Sequence, residues 1–264
     1  MTTALTRATS DSATMLGRQL RHLVRYPSLT LLLTGMPIIL LLLFVYVFGG
    51  TMGAGLSGTS GGRAEYLDYI APGIMLMTVA SAAQGAAMSV AMDMTEGIIA
   101  RFRTMDIARV SVLTGHVLGT LIQTLLSVAV VTGVALLIGF RPSAGPVGWI
   151  AAIGLLSMAT LALTWLAVAL GLVSDSAETA SNLPMPLVFL PFLGSGFVPT
   201  DTMPAGMRWF AEYQPFTPII ETLRGLLTGT EIGNNAVIAV AWCVGIALAA
   251  YVWAKKLYNR ASTR

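Results

Sequence analysis

The sequence predicts an all-α membrane protein with about six transmembrane helices, an amphipathic helix ahead of the first, and no enzyme active site of its own. Three observations lead there. Of 264 residues, 55% are hydrophobic and 10% charged, against roughly 25% charged in soluble domains; a chain this apolar cannot cover a surface facing water, so the bilayer is its solvent. Six apolar stretches approach the roughly 20 residues that a spanning helix needs. The 15 Lys and Arg residues sit at the ends of these stretches, where they report topology. The net charge of +3 therefore does not indicate nucleic acid.

The elements follow in order, within a single domain covering 1–264. Met15, Leu16, Leu20, Leu23 and Val24 recur at helical spacing with Arg18, Arg21 and Arg25 among them. This predicts an amphipathic helix over 12–26 in the membrane interface; the plainer alternative is a basic flank to the first span. That span, Ser28–Phe48, is too long for a signal h-region of roughly 7–15 residues, and no A-x-A-like cleavage pattern follows it. It reads as a retained helix. The Gly/Ser-rich stretch Gly49–Gly62 reads as a flexible outer connection. The remaining spans are Tyr69–Met92, Leu113–Phe140, Val147–Val173, Leu183–Val198 and Asn235–Ala254. The fifth is short and holds Pro184, Pro186 and Pro191, which remove backbone donors and kink or break a helix. Gly115/Gly119 and Gly245/Ala249 are placed to let helices approach closely.

With six crossings both termini share a side. That side carries 11 basic residues (Arg7, Arg18, Arg21, Arg25, Arg101, Arg103, Arg109, Lys255, Lys256, Arg260, Arg264) against four on the other (Arg63, Arg141, Arg208, Arg224). The bias puts both termini in the cytoplasm.

Several chemistries are missing. Every Asp and Glu falls outside the span cores or at their edges, and no Lys or Arg sits mid-membrane; ion-coupled pumps use such residues as relays. A Walker A loop needs a lysine on the phosphates, and the only lysines are Lys255 and Lys256 near the C-terminus. Cys243 is the single cysteine and reads as a small packing residue. His22 and His116 read as isolated, with no metal-ligand cluster. Two strings in the Gly49–Gly62 stretch are chance echoes: Leu56-Ser57-Gly58 of a nucleotide-binding signature, and Gly58-Thr59-Ser60-Gly61-Gly62 of a nucleophile elbow. The first has no nucleotide fold around it, and the second lacks the strand-to-helix turn that gives the motif meaning.

The informative segment is the loop 93–112 after the second span. Ile98, Ile99, Phe102 and Met105 share one helical face, and Asp93, Glu96, Arg101 and Arg103 supply charges beside it. A short helix of this kind suits a groove on a cytoplasmic partner or the lipid surface, and the residues alone do not choose.

The run Asp93–Met105 followed by Arg109-Val110-Ser111-Val112-Leu113 resembles the loop of ABC-2-type permeases, especially the daunorubicin-resistance type. Two other stretches share the resemblance: Arg25-Tyr26-Pro27 with Gly35-Met36-Pro37 and Phe44–Gly50, and Gln214-Pro215-Phe216-Thr217-Pro218 through Glu221, Arg224 and Gly225. Where that family often has a proline after the loop helix, this chain has Asp106, which can extend it. The resemblance implies a non-catalytic permease in a bacterial inner (plasma) membrane, paired with a second permease copy as a homodimer or with a related permease. Two copies of a separate ABC ATPase subunit would bind ATP and Mg, while the chain itself binds no cofactor. It also implies that Asp93, Glu96, Gly97, Ile98, Arg101, Phe102, Arg103 and Met105 form a coupling helix seated in the ATPase. The region 199–234 would hold short outer re-entrant helices, in keeping with the breaks at Pro204, Pro215 and Pro218.

For a substrate pathway, the candidates are Met77, Ser81, Gln84 and Met88 on the second span, and Phe189, Phe192 and Phe197 on the fifth. Such a route suits lipophilic drug-like or lipid cargo, as in multidrug efflux and antibiotic resistance; helix packing also accounts for these residues. The same architecture could export a lipid-linked glycan or glycolipid. Outside this class stand an ion-coupled carrier, which would move cargo without an ATPase, and a membrane scaffold, which would bind partners without flux.

Overall fold

The computed structural model describes residues 27–57, 62–95 and 109–260. All regular structure among them is helical. Helix α1 (Pro27–Leu43) passes into a π-helical turn, Phe44–Phe48, and on into α2 (Gly49–Ser57). Helices α3 (Arg63–Thr95), α4 (Arg109–Leu137) and α5 (Pro146–Val173) are long. Two short helices follow, α6 (Ala177–Asn182) and α7 (Met185–Phe189), then a 3-10 turn at Thr200–Thr202. Helices α8 (Ala205–Tyr213) and α9 (Phe216–Thr228) precede the last long helix, α10 (Asn235–Arg260).

Five of these helical stretches are long and apolar enough to cross a membrane: Thr34–Leu56, Arg63–Met94, His116–Leu137, Pro146–Val173 and Asn235–Tyr258. Helix α3 is the axis of the bundle. Of its most apolar stretch 78% is buried, against 17% for α10 and 22% for the first span, whose outer faces present bare apolar side chains such as Ile39, Val47, Val237 and Leu248. Those faces suit lipid. The composition of α3 explains its place. Ala71, Gly73, Ala80, Ala83, Ala86, Ala87 and Ala91 are small and let neighbouring backbones come close.

Two sequence expectations are corrected here. Gly49–Gly62 is not a loop throughout. The helix continues to Ser57, because the backbone hydrogen bonds of a helix are its cheapest satisfaction in lipid. Its glycines also serve packing: a Cβ at Gly53 would run into the Gly62 backbone. Residues 58–61 of that stretch lie outside the described residues.

The fifth expected span, Leu183–Val198, is not a helical span. Pro184 stands at the N-cap of α7, and beyond Phe189 the chain proceeds in turns past Pro191. This broken segment nonetheless runs lengthwise along α3. The Gln84 amide donates to the Ser181 carbonyl (2.7 Å), a Cβ at Gly73 would meet the Gly196 backbone, and the Tyr66 hydroxyl donates to the Phe197 carbonyl (3.3 Å). From Gln84 back to Tyr66 is about 27 Å at ~1.5 Å per residue, close to the roughly 30 Å of a hydrocarbon core. An irregular backbone at that depth is tolerated when protein rather than lipid surrounds it.

The apolar interior falls into two parts. The larger joins α1, α3, α4, α5, α9 and α10 around Leu41, Ile74, Leu76, Phe140, Leu163, Phe216, Ile220 and Leu223. A smaller one lies at the other end of the bundle, where Val90, Val117, Val168, Ala169, Ala254 and Tyr258 bring together α3, α4, α5 and α10.

Candidate pathway and the two ends of the bundle

At one end, α9 lies buried against α3, α5 and α10. Arg224 is its unexpected member, only 6% exposed on the same face as Ile220, Leu223 and Leu227. Its Nε and Nη2 both donate to the Tyr69 carbonyl (3.2 and 3.1 Å), Nη2 also to the Ser195 carbonyl (2.6 Å), and Nη1 pairs with Glu221 Oε1 (2.6 Å). Its guanidinium stacks over the Tyr69 ring at 3.8 Å. One planar fork thus ties α9 to α3 and to the broken segment, a geometry that the single ammonium of lysine cannot reproduce.

Gln214 does the same at the corner between α8 and α9. Its amide nitrogen donates to the Leu190 carbonyl (3.1 Å) and the Thr217 hydroxyl (3.2 Å), and its carbonyl oxygen accepts from the Phe216 N–H (3.3 Å). Helix α9 then ends on Gly229, whose φ of 77° suits glycine at the cap. On exposed α8, the Glu212 carboxylate hydrogen-bonds Arg208 (2.7 Å) and raises the guanidinium above its ordinary pKa.

At the other end, α3 and α4 lead into and out of residues 96–108. Asp93 Oδ2 and His116 Nε2 lie 2.9 Å apart, with the residues 9% and 8% exposed. His116 is therefore not isolated, as its place in the sequence suggests. The two are 23 positions apart, and only the packing of α3 on α4 brings them together. Lys255 and Lys256 are exposed near the end of α10. Among the described residues no group of His, Cys, Asp and Glu is placed to hold a metal ion.

Of the loop candidates, Asp93 is described and faces His116. Glu96, Gly97, Ile98, Arg101, Phe102, Arg103 and Met105 lie outside the described residues, as does the amphipathic stretch 12–26. The pathway candidates separate. Met77 and Ser81 are inside the bundle, the Ser81 hydroxyl donating to the Met77 carbonyl (3.0 Å); Gln84 holds the broken segment; Met88 is exposed. Phe192 and Phe197 stack at 4.1 Å and nearly parallel, with Phe44 4.8 Å from Phe197 and half-exposed Phe189 6.5 Å from Phe192. Phe44 belongs to the π-turn, and Tyr46 of the same turn lies under the Arg63 guanidinium at 4.8 Å.

Sequence reasoning missed Arg224, Gln214 and His116. A signal existed for the first: an arginine on the apolar stripe of a helix must find acceptors. The small-residue expectation also shifts. Among the described residues nothing lies within 4 Å of a Cβ at Gly245, whereas Gly73, Gly148, Gly171 and Gly196 each press on a neighbouring backbone.

The comparisons with known proteins agree with this architecture. Residues 12–228 match the model of the ABC-2 type transporter family. The chain is 29% identical over 245 residues to the daunorubicin resistance ABC transporter permease protein DrrB1 of Streptomyces coeruleorubidus, covering 92% of this chain and 81% of that one. It is 24% identical over 194 residues to the probable doxorubicin resistance ABC transporter permease protein DrrC of Mycobacterium tuberculosis, covering 74% of this chain and 70% of the relative. The chain, an all-helical multi-pass membrane protein, belongs to the ABC-2 type transporter family.

Proposed function

We propose that this chain is the transmembrane permease subunit of an ATP-driven exporter, moving lipophilic, drug-like or lipid cargo out of the cell. One observation carries the reading: the family match includes both the Asp93–Met105 stretch and the Gln214–Gly225 stretch, and its relatives bear the names of drug-resistance permeases. In this reading the permease works as a homodimer with two copies of a separate ABC ATPase, in a bacterial plasma membrane with both termini cytoplasmic. ATP and Mg are held by the ATPase. Closure of the ATPase halves pulls on the loop 93–112 and shifts the helices between two packings. The permease supplies the route and the lever and catalyses no reaction. A route past Phe189, Phe192 and Phe197, opening toward the bare apolar faces, suits cargo that partitions into the bilayer.

The test is copurification of the chain with a candidate ABC ATPase, followed by hydrolysis measurements with and without lipophilic cargo. The reading expects a stable complex and cargo-stimulated hydrolysis. A purified chain that hydrolyses ATP alone, or that moves cargo down an ion gradient without an ATPase, overturns it.

A further inference from the structure

We propose that Asp93 and His116 form a positioning clamp that makes α3 and α4 move as one lever. The inference rests on the permease reading above. Both residues stand where their helices meet the connection 96–108: Asp93 is near the C-terminal end of α3, and His116 is about two turns into α4. Their 2.9 Å contact is buried. Val90 and Val117 pack beside it, in the apolar cluster that also holds Val168 and Ala169 of α5 and Ala254 and Tyr258 of α10.

A polar pair in that place calls for a reason. Burying a carboxylate and an imidazole carries a desolvation penalty that two apolar side chains would avoid. What the pair adds is direction. Apolar side chains slide past one another at small cost, because the dispersion attraction given up on one side is regained on the other. A buried hydrogen bond has one short geometry and resists shear between the helices. A pull on residues 96–108 would therefore reach both α3 and α4 in register, and through the cluster α5 and α10. Asp93 is thus a positioning residue at the base of the loop and not part of the surface offered to the ATPase.

The experiment uses full-length permease assembled with its ATPase in proteoliposomes, reading cargo moved per ATP hydrolysed, ATPase affinity and thermal unfolding. The apolar pair Asp93→Leu/His116→Leu is expected to keep stability and ATPase affinity near wild type. It should lose about fivefold or more in cargo per ATP, the size of an ordinary pairwise coupling energy. The swapped pair Asp93→His/His116→Asp should recover most of that loss, whereas Asp93→His or His116→Asp alone should not. If the apolar pair fails to insert, the swapped pair against the single reversals decides. Normal coupling in the apolar pair, a swap no better than the single reversals, or a loss that merely follows lowered stability each overturns the clamp. Wild-type protein that binds no ATPase instead removes the permease reading, and the clamp falls with it.

Discussion

Arg224 bridges three elements through one side chain, so its loss leaves Glu221 without its cation and the Tyr69 and Ser195 carbonyls without its donors. Truncating one partner of a buried, hydrogen-bonded charge pair costs on the order of 2–4 kcal/mol. Arg224→Gln is expected to lower the unfolding temperature of the detergent-solubilised protein by roughly 5 °C or more. Arg224→Lys should recover less than half of that, since charge without the fork reaches fewer acceptors. An unchanged melting curve for Arg224→Gln would remove Arg224 as a structural tie. Phe102 makes a different kind of test. It is the largest apolar side chain on the face that the sequence offers to a partner, and removing an aromatic anchor from an interface costs on the order of 2–4 kcal/mol. Phe102→Ala should weaken ATPase binding about tenfold or more while leaving membrane insertion intact. Glu96→Ala should act more mildly. Pull-down affinity near wild type for Phe102→Ala would favour the lipid surface as the place of that face.

Among the elements, the broken segment beside α3 depends on the absence of side chains at Gly73 and Gly196. A β-branched residue at Gly73 must push the Gly196 backbone away. Overpacking of this kind costs roughly 1–3 kcal/mol, so Gly73→Val is expected to destabilise the protein and to expose the 190s to added protease. Gly245→Ala on α10 is the control. Its Cβ meets open space, and the change should be neutral or stabilising by up to about 1 kcal/mol through helix propensity. Equal effects at the two sites would mean that the close approach contributes nothing. The long helices were legible because apolar length sets a transmembrane helix: α5 runs from Pro146 to Val173, one residue from the span read in the sequence. Other elements were not legible, because the residues that shape them carry opposite local signals. The glycines of Gly49–Ser57 read as a loop and form a helix, since lipid makes unpaired backbone costly. The prolines of Leu183–Val198 do break the helix, but only the contacts of Gln84, Gly73 and Tyr66 reveal that the fragments still follow α3. Contacts between residues far apart in the chain left no local trace: Asp93 with His116, or Arg224 with Tyr69. They appear only once α3 is placed at the centre.

For the whole molecule, sidedness and coupling are the properties at stake. The basic residues divide 11 to four between the two ends, which predicts cytoplasmic termini. Reporter fusions after Arg264 and within 53–62 should give cytoplasmic and outer signals respectively; a cytoplasmic signal from the second site would contradict six crossings. The broken segment beside α3 supplies the crossing that makes the parity even. The permease reading is tested most directly by flux. Proteoliposomes holding the chain with its ABC ATPase, loaded with a lipophilic fluorescent cargo, should move that cargo only when ATP is supplied. The same vesicles lacking the ATPase, or given a non-hydrolysable nucleotide, should show no flux above passive leak. Sustained ATP-independent flux through the chain alone would contradict the permease reading.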